Sequence, residues 1–158
     1  MKIIYNENYL PEKLTDGIFE DDHNIDLIAK DLNSREPQQS LIMGTVLIVL
    51  QNITIDVVSG VIVNGICTLV KKLYKSWRES PHPDKMKASM KIEEDGLSVQ
   101  IILKSGVDKK QYWKIIQLIQ CFEIGRYIII LENNGHFKVF TELEYAHHKH
   151  DRNKKMTR

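Results

Sequence analysis

The chain has 158 residues, about one domain's worth, with 42% apolar and 27% charged residues, which excludes an intrinsically disordered chain. A formal charge of +1 excludes a strong overall attraction to nucleic acid or anionic membranes. That sum hides an asymmetry: residues 1–40 hold four Lys/Arg against nine Asp/Glu, residues 41–70 hold only Asp56, and residues 71–158 hold 18 against 11.

The opening "MKIIYNENYL" reads as a short strand and a turn, and it lacks the apolar run of a secretory signal. In "DDHNIDLIAKDL", Ile25, Ile28 and Leu32 fall at helical spacing behind Asp21 and Asp22. Acidic residues favour a helix N-terminus, so a short amphipathic helix is expected here. "NSREPQQ" closes an acidic N-terminal region over residues 1–40, because Pro37 disfavours helix in the residue before it.

Residues 41–78 read as one long apolar helical segment, within which "DVVSGVIVNGICTLVKKLYKSW" raises three alternatives. Its polar and small positions, Asn52, Asp56, Gly60, Asn64, Cys67 or Thr68, Lys71, Lys75 and Arg78, recur in steps of three and four along one stripe. The segment is long enough to cross a membrane, although Asp56 and Asn64 would be costly at that depth. It also fits a helix buried in the chain's own core, or one packed on a copy of itself or on a partner. The stretch "VLIVLQNITIDVV" is rich in β-branched residues, which suit a strand as well.

After the break "RESPHPDK", the strand-like "KASMKIEE" and "LSVQIILK" meet at Asp95-Gly96, a dipeptide suited to a tight hairpin. "DKKQYWKIIQLIQCF" puts Tyr112, Ile115, Ile116, Ile119 and Phe122 on one helical face behind Asp108 as N-cap. "RYIIILE" and "HFKVFTEL" form a second hairpin around Asn134-Gly135. Residues 84–145 therefore read as a small antiparallel β-β-α-β-β unit. The expected fold class is α+β, with the long apolar helix preceding that unit and packed with it. Residues 146–158 read as a loose, basic, His-rich tail.

The order of features resembles the effector-associated constant components of bacterial conflict systems. The matching pieces are Met43-Gly44, the run from Val46 to Val70, "LYKSW", "KIEEDGLSVQI" and the helix from Asp108, spanning roughly residues 40–120. The resemblance implies a non-catalytic adaptor in antiphage defence, partnered by an effector, with no catalytic residue to carry over.

No chemistry-bearing motif competes with that reading. "HHKHD" (His147, His148, His150, Asp151) has ligand types for zinc or nickel but lies in one tail segment, whereas metal sites usually draw ligands from more than one element. "FEDDH" reads as a helix start and "ENNGH" as a turn. No catalytic residue, cofactor or metal is expected. Cys67 and Cys121 read as buried reduced thiols, which fits a cytoplasmic protein. Tyr112 and Trp113 among Lys109, Lys110 and Lys114 could bind nucleic acid, but Tyr112 belongs to the core stripe, so nucleic acid is not the expected partner. The expected interaction and self-association surface comprises Val57, Gly60, Val61, Asn64, Val70, Tyr74 and Trp77, with the chain itself and an effector as partners. The alternative is an effector in the inner membrane whose 41–70 segment oligomerises and permeabilises, leaving residues 71–158 in the cytoplasm.

Overall fold

The computed structural model describes residues 1–11, 15, 17–19, 25–32, 44–53, 60–81, 87–103, 108–132 and 135–156, with side chains as far as His150. Its elements run β1 (Lys2–Asn6), β2 (Asp26–Lys30), β3 (Gly44–Gln51), α1 (Gly60–Arg78), β4 (Lys87–Glu94), β5 (Leu97–Leu103), α2 (Lys109–Ile119), β6 (Gly125–Leu131), β7 (Phe137–Thr141) and α3 (Glu142–Met156). The seven strands form one mixed sheet in the order β2-β1-β3-β4-β5-β6-β7. β3–β4 and β5–β6 are parallel pairs joined through α1 and α2, while β4–β5 and β6–β7 are antiparallel.

This overturns the expected architecture of a long apolar helix preceding and packed with a small antiparallel β-β-α-β-β unit, since the sheet is mixed and has seven strands. Residues 44–51 are not helix but β3, hydrogen-bonded to β1 on one side and β4 on the other. Every residue of "TVLIVL" is buried, as in a strand covered on both faces. A continuous apolar run of this length has no period to separate strand from helix, and its β-branched residues favour the strand. Asn52 ends the strand with φ 54°, a left-handed conformation that Asn adopts more readily than most residues. The strands 87–141 are then four of seven in a continuous sheet.

The short helix expected at 21–32 is also replaced, since residues 26–30 pair with β1 in parallel register. Ile28 packs beside Ile4, Val46 and Val49, whereas Leu27 and Ala29 join the main core. Alternate side chains thus serve opposite faces, the period of a strand. The tail expected to be loose forms α3 through Met156.

α1 and α2 lie on one face of the sheet. Ile62, Ile66, Leu69, Val70 and Leu73 of α1, with Tyr112, Ile115 and Ile116 of α2, meet Met90, Ile92, Val99, Ile101 and Ile129 in the main core. The side chains between these, Ile102 and Ile128, point the other way and pack under Tyr145 of α3. Asp108 caps α2: its carboxylate accepts from Gln111 N at 2.8 Å, and Gln111 Oε1 accepts from Asp108 N at 3.0 Å. Gly96 turns the β4–β5 hairpin at φ 84°, a conformation cheap only for glycine.

Candidate interaction surfaces

The residues expected to face a partner are divided by the structure. Gly60, Val61 and Asn64 stand on the outer surface of α1, Val61 with 60% of its surface exposed. Val70 (1% exposed) and Trp77 (5%) are instead buried in the main core, and Tyr74 is half-buried with its ring 5.5 Å from that of Trp77. Val57 lies outside the described residues, as do Asp56 and Ser59. This side of the helix is therefore covered within the chain from Val70 onward. Gly65, also on α1, takes the ring of Phe19: a Cβ there would sit 2.2 Å from Phe19 Cε1.

Asn64 is exposed, and its carbonyl accepts from Thr68 Oγ1 at 2.8 Å. Below it on the same exposed stripe come Lys71, Lys75 and Arg78. α2 packs beside α1 and brings Lys109 to this surface, with its Nζ 3.7 Å from the position of a Cβ on Gly60. Lys71 and Lys109 also flank Cys67. Burial pushes the Cys67 thiol up, Lys71 and Lys109 act the opposite way, and Asp108 adds to the rise. The α1 surface thus combines one exposed aliphatic side chain with hydrogen-bonding and cationic groups around it. Tyr112 is fully buried, with burial and then Cys67 driving its hydroxyl far above its ordinary range. Its hydroxyl, like that of Tyr5, has no hydrogen-bond partner among the described residues.

A second surface lies at the other end of the sheet. Ile124, Gly125, Arg126, Tyr127, Thr141, Glu142, Leu143 and Ala146 line a mainly apolar groove of about 570 Å³ between the start of β6 and the first turn of α3. Ile124 is 82% exposed and Leu143 is 70% exposed. Arg126 Nη1 and Glu142 Oε2 stand 3.7 Å apart at its rim. A third hollow of about 530 Å³ is bounded by Asn8, Tyr9 and the end of α1 from Ser76 to Pro81.

No family model, curated protein or solved structure matches the chain. Its function must therefore be read from its own surfaces.

The face of the sheet opposite α1 also carries polar pairs. Gln51 Nε2 donates to Glu93 Oε2 at 2.8 Å, Lys91 Nζ lies 3.5 Å from Glu93 Oε1, and Gln100 Nε2 donates to Ser89 Oγ at 2.9 Å. These are cross-strand or same-strand neighbours that satisfy one another. Among the described residues no three His, Cys, Asp or Glu side chains converge as metal ligands. His147 and His150 are exposed on α3, and His148 stacks on Phe140 at 5.1 Å. Glu20, Asp21, Asp22 and His23 of "FEDDH" lie outside the described residues, as does Asn134 of the second turn. No helix among the described residues is long and apolar enough to cross a membrane.

Sequence reasoning missed the groove and the helix beside it. One signal was available: Thr141-Glu142-Leu143-Glu144 matches a capping box. Glu144 Oε2 accepts from Thr141 N at 2.8 Å and Thr141 Oγ1 at 2.9 Å, while Glu144 N donates back to Thr141 Oγ1 at 3.3 Å.

Proposed function

We propose that this chain is a non-catalytic interaction module that couples to an effector protein through the exposed surface of α1, as an adaptor in a bacterial conflict system. The observation that carries the coupling is Val61, an aliphatic side chain 60% exposed on a helix otherwise anchored in the core. Gly60 and Asn64 adjoin it, Lys109 brings positive charge beside Gly60, and Lys71 adds to it further along the exposed stripe. An apolar centre with a polar, charged rim is the usual anatomy of a transient protein interface. The fixed helix presents it without an ordering cost on binding. The cationic rim favours an effector surface carrying carboxylates.

The assignment to a conflict system comes from the sequence resemblance, and β3 occupies part of the stretch that the resemblance aligned as helix. The coupling reading stands on the α1 surface independently of that alignment. It calls for no reaction at this chain and no cofactor.

The test is capture of an effector carrying an acidic surface by the purified full chain, comparing wild type with Val61→Glu and Lys71→Glu. Both side chains are exposed, so both variants should keep the wild-type melting temperature. Val61→Glu should abolish the complex, and Lys71→Glu should weaken it and reduce its salt sensitivity. Full retention of the complex by a folded Val61→Glu, Lys71→Glu double variant would overturn the reading.

A further inference from the structure

We propose that the groove between β6 and α3 is a two-fold dimer interface, in which Ile124 and Leu143 of each copy cover the groove of the other. Among the described residues four large apolar side chains stand exposed, and the two most exposed, Ile124 and Leu143, flank this one groove. Apolar side chains gathered around a concave apolar surface mark an interaction site, whereas scattered ones do not.

The backbone that carries both side chains is fixed before any partner arrives. Ile124 Cγ2 lies 3.0 Å from the position of a Cβ on Gly96, and Gly125 N donates to Gly96 O at 3.1 Å. The β4–β5 turn therefore supports Ile124 from beneath. Leu143 sits in the first turn of α3, which the Thr141–Glu144 capping box fixes on the end of β7. A fixed backbone leaves only side-chain freedom to be lost on association.

The charges favour a second copy as the occupant, because a patch with one cation and one anion is complementary to itself. The rim holds one cation and one anion, Arg126 and Glu142, at 3.7 Å. Their side chains are 63% and 34% exposed, so this pair alone contributes little. A two-fold axis sets the same patch against itself, so that each residue meets its counterpart reciprocally. Arg126 of one copy then faces Glu142 of the other, and the two weak pairs become a cluster of four alternating charges around the buried Ile124 and Leu143. A two-fold contact closes on itself and yields a dimer, not a filament.

Ile128, the next residue of β6 on the same side as Arg126, packs under α3, and the core side chains of α1 meet the opposite face of the sheet. The dimer and the α1 partner surface are thus separate, and the dimer does not rest on the adaptor reading. Leu143→Asp should dissociate the dimer while leaving effector binding intact, and Val61→Glu should do the reverse.

Sedimentation of the full chain over the micromolar range tests the proposal. Wild type should dimerise, and Leu143→Asp and Ile124→Asp should be folded monomers by circular dichroism. Arg126→Glu and Glu142→Arg should each weaken self-association by at least about tenfold, roughly 1.4 kcal/mol. Mixing those two variants should restore a dimer, because each then offers the charges that the other lacks. Restoration on mixing cannot arise from a pair confined to one chain. A monomeric wild type, a dimer indifferent to Leu143→Asp, or failure of the mixed variants to associate would each overturn the proposal.

Discussion

α1 and α3 lie on opposite faces of one sheet and are held in very different ways. α1 buries nine of its residues, from Ile62 to Trp77, against strands from both halves of the sheet. Through His150, α3 buries only Tyr145, which packs with Ile102 and Ile128 and sits edge-on to Phe140 at 5.9 Å. The difference separates two jobs. α1 closes the core and exposes only a narrow outer stripe. α3 is an appendage, fixed by one aromatic anchor and a capping box, and forms a groove with β6. Most helical stability comes from packing an apolar face, so the two helices should respond to damage on different scales.

Truncating the anchor of each helix tests this separation most severely. Leu73 is fully buried among α1 and the sheet, so Leu73→Ala should cost about 2–5 kcal/mol and lower the denaturation midpoint of the whole chain. Tyr145→Ala should instead release α3 locally. Helical circular dichroism should fall while the main cooperative transition of the sheet keeps most of its midpoint, and amide exchange should rise first at 142–150. Equal loss of global stability from both variants would show that α3 is part of the same cooperative unit as α1.

Within α1, the contact of Phe19 with Gly65 allows a finer cut. Gly→Ala inside a helix ordinarily gains up to about 1 kcal/mol. Here the new Cβ meets the Phe19 ring, so Gly65→Ala should destabilise wild type by displacing that ring. In a Phe19→Ala background the same substitution should stabilise. The change of sign in the double-mutant cycle, read from urea midpoints, measures the contact. Gly65→Ala gains of equal size in both backgrounds would mean that Phe19 does not hold this position in solution.

The same contrast explains what the sequence could reveal. The α2 N-cap and its core stripe were legible because Asp108 and the spacing of Tyr112, Ile115, Ile116 and Ile119 are local signals. Asp95-Gly96 was legible for the same reason. β3 was not, because its pairing with β1 and β4 and the side chains that cover its two faces come from segments far away in the sequence. Nor was β2, because its Ile28 and the Leu32 that follows it suit a helical stripe as well as the edge of a sheet. On α1 the apolar width was visible, but its cover was not. Phe19 and α2 reach it only through tertiary packing, so Val70 and Trp77 looked available when they are buried. The groove at Ile124 and Leu143 joins two elements through the sheet and leaves no linear pattern. α3 is a different case: Thr141 and Glu144 carried its start in plain sequence, and the polarity of the segment concealed it.

That start should make α3 sensitive to acid in a way α1 is not. The Thr141 backbone amide, and secondly its hydroxyl, hold the Glu144 carboxyl below its ordinary value by donating to its charged form. A carboxyl lowered in the folded state favours folding above its unfolded value, about 4.3, and loses that contribution as pH falls through the lower folded value. Helicity of α3 should therefore be constant from neutral pH down to that range and fray below it. α1 lacks acidic residues in its first turn and should show no matching step. Carbon-13 shifts of residues 142–150, followed from pH 7 to below 4, would report the fraying directly. Glu144→Gln retains one acceptor but no charge, so it should flatten the acid step and leave α3 slightly frayed at every pH. An unchanged acid step in Glu144→Gln would assign it to another carboxylate and remove the capping box as the element that seats Leu143.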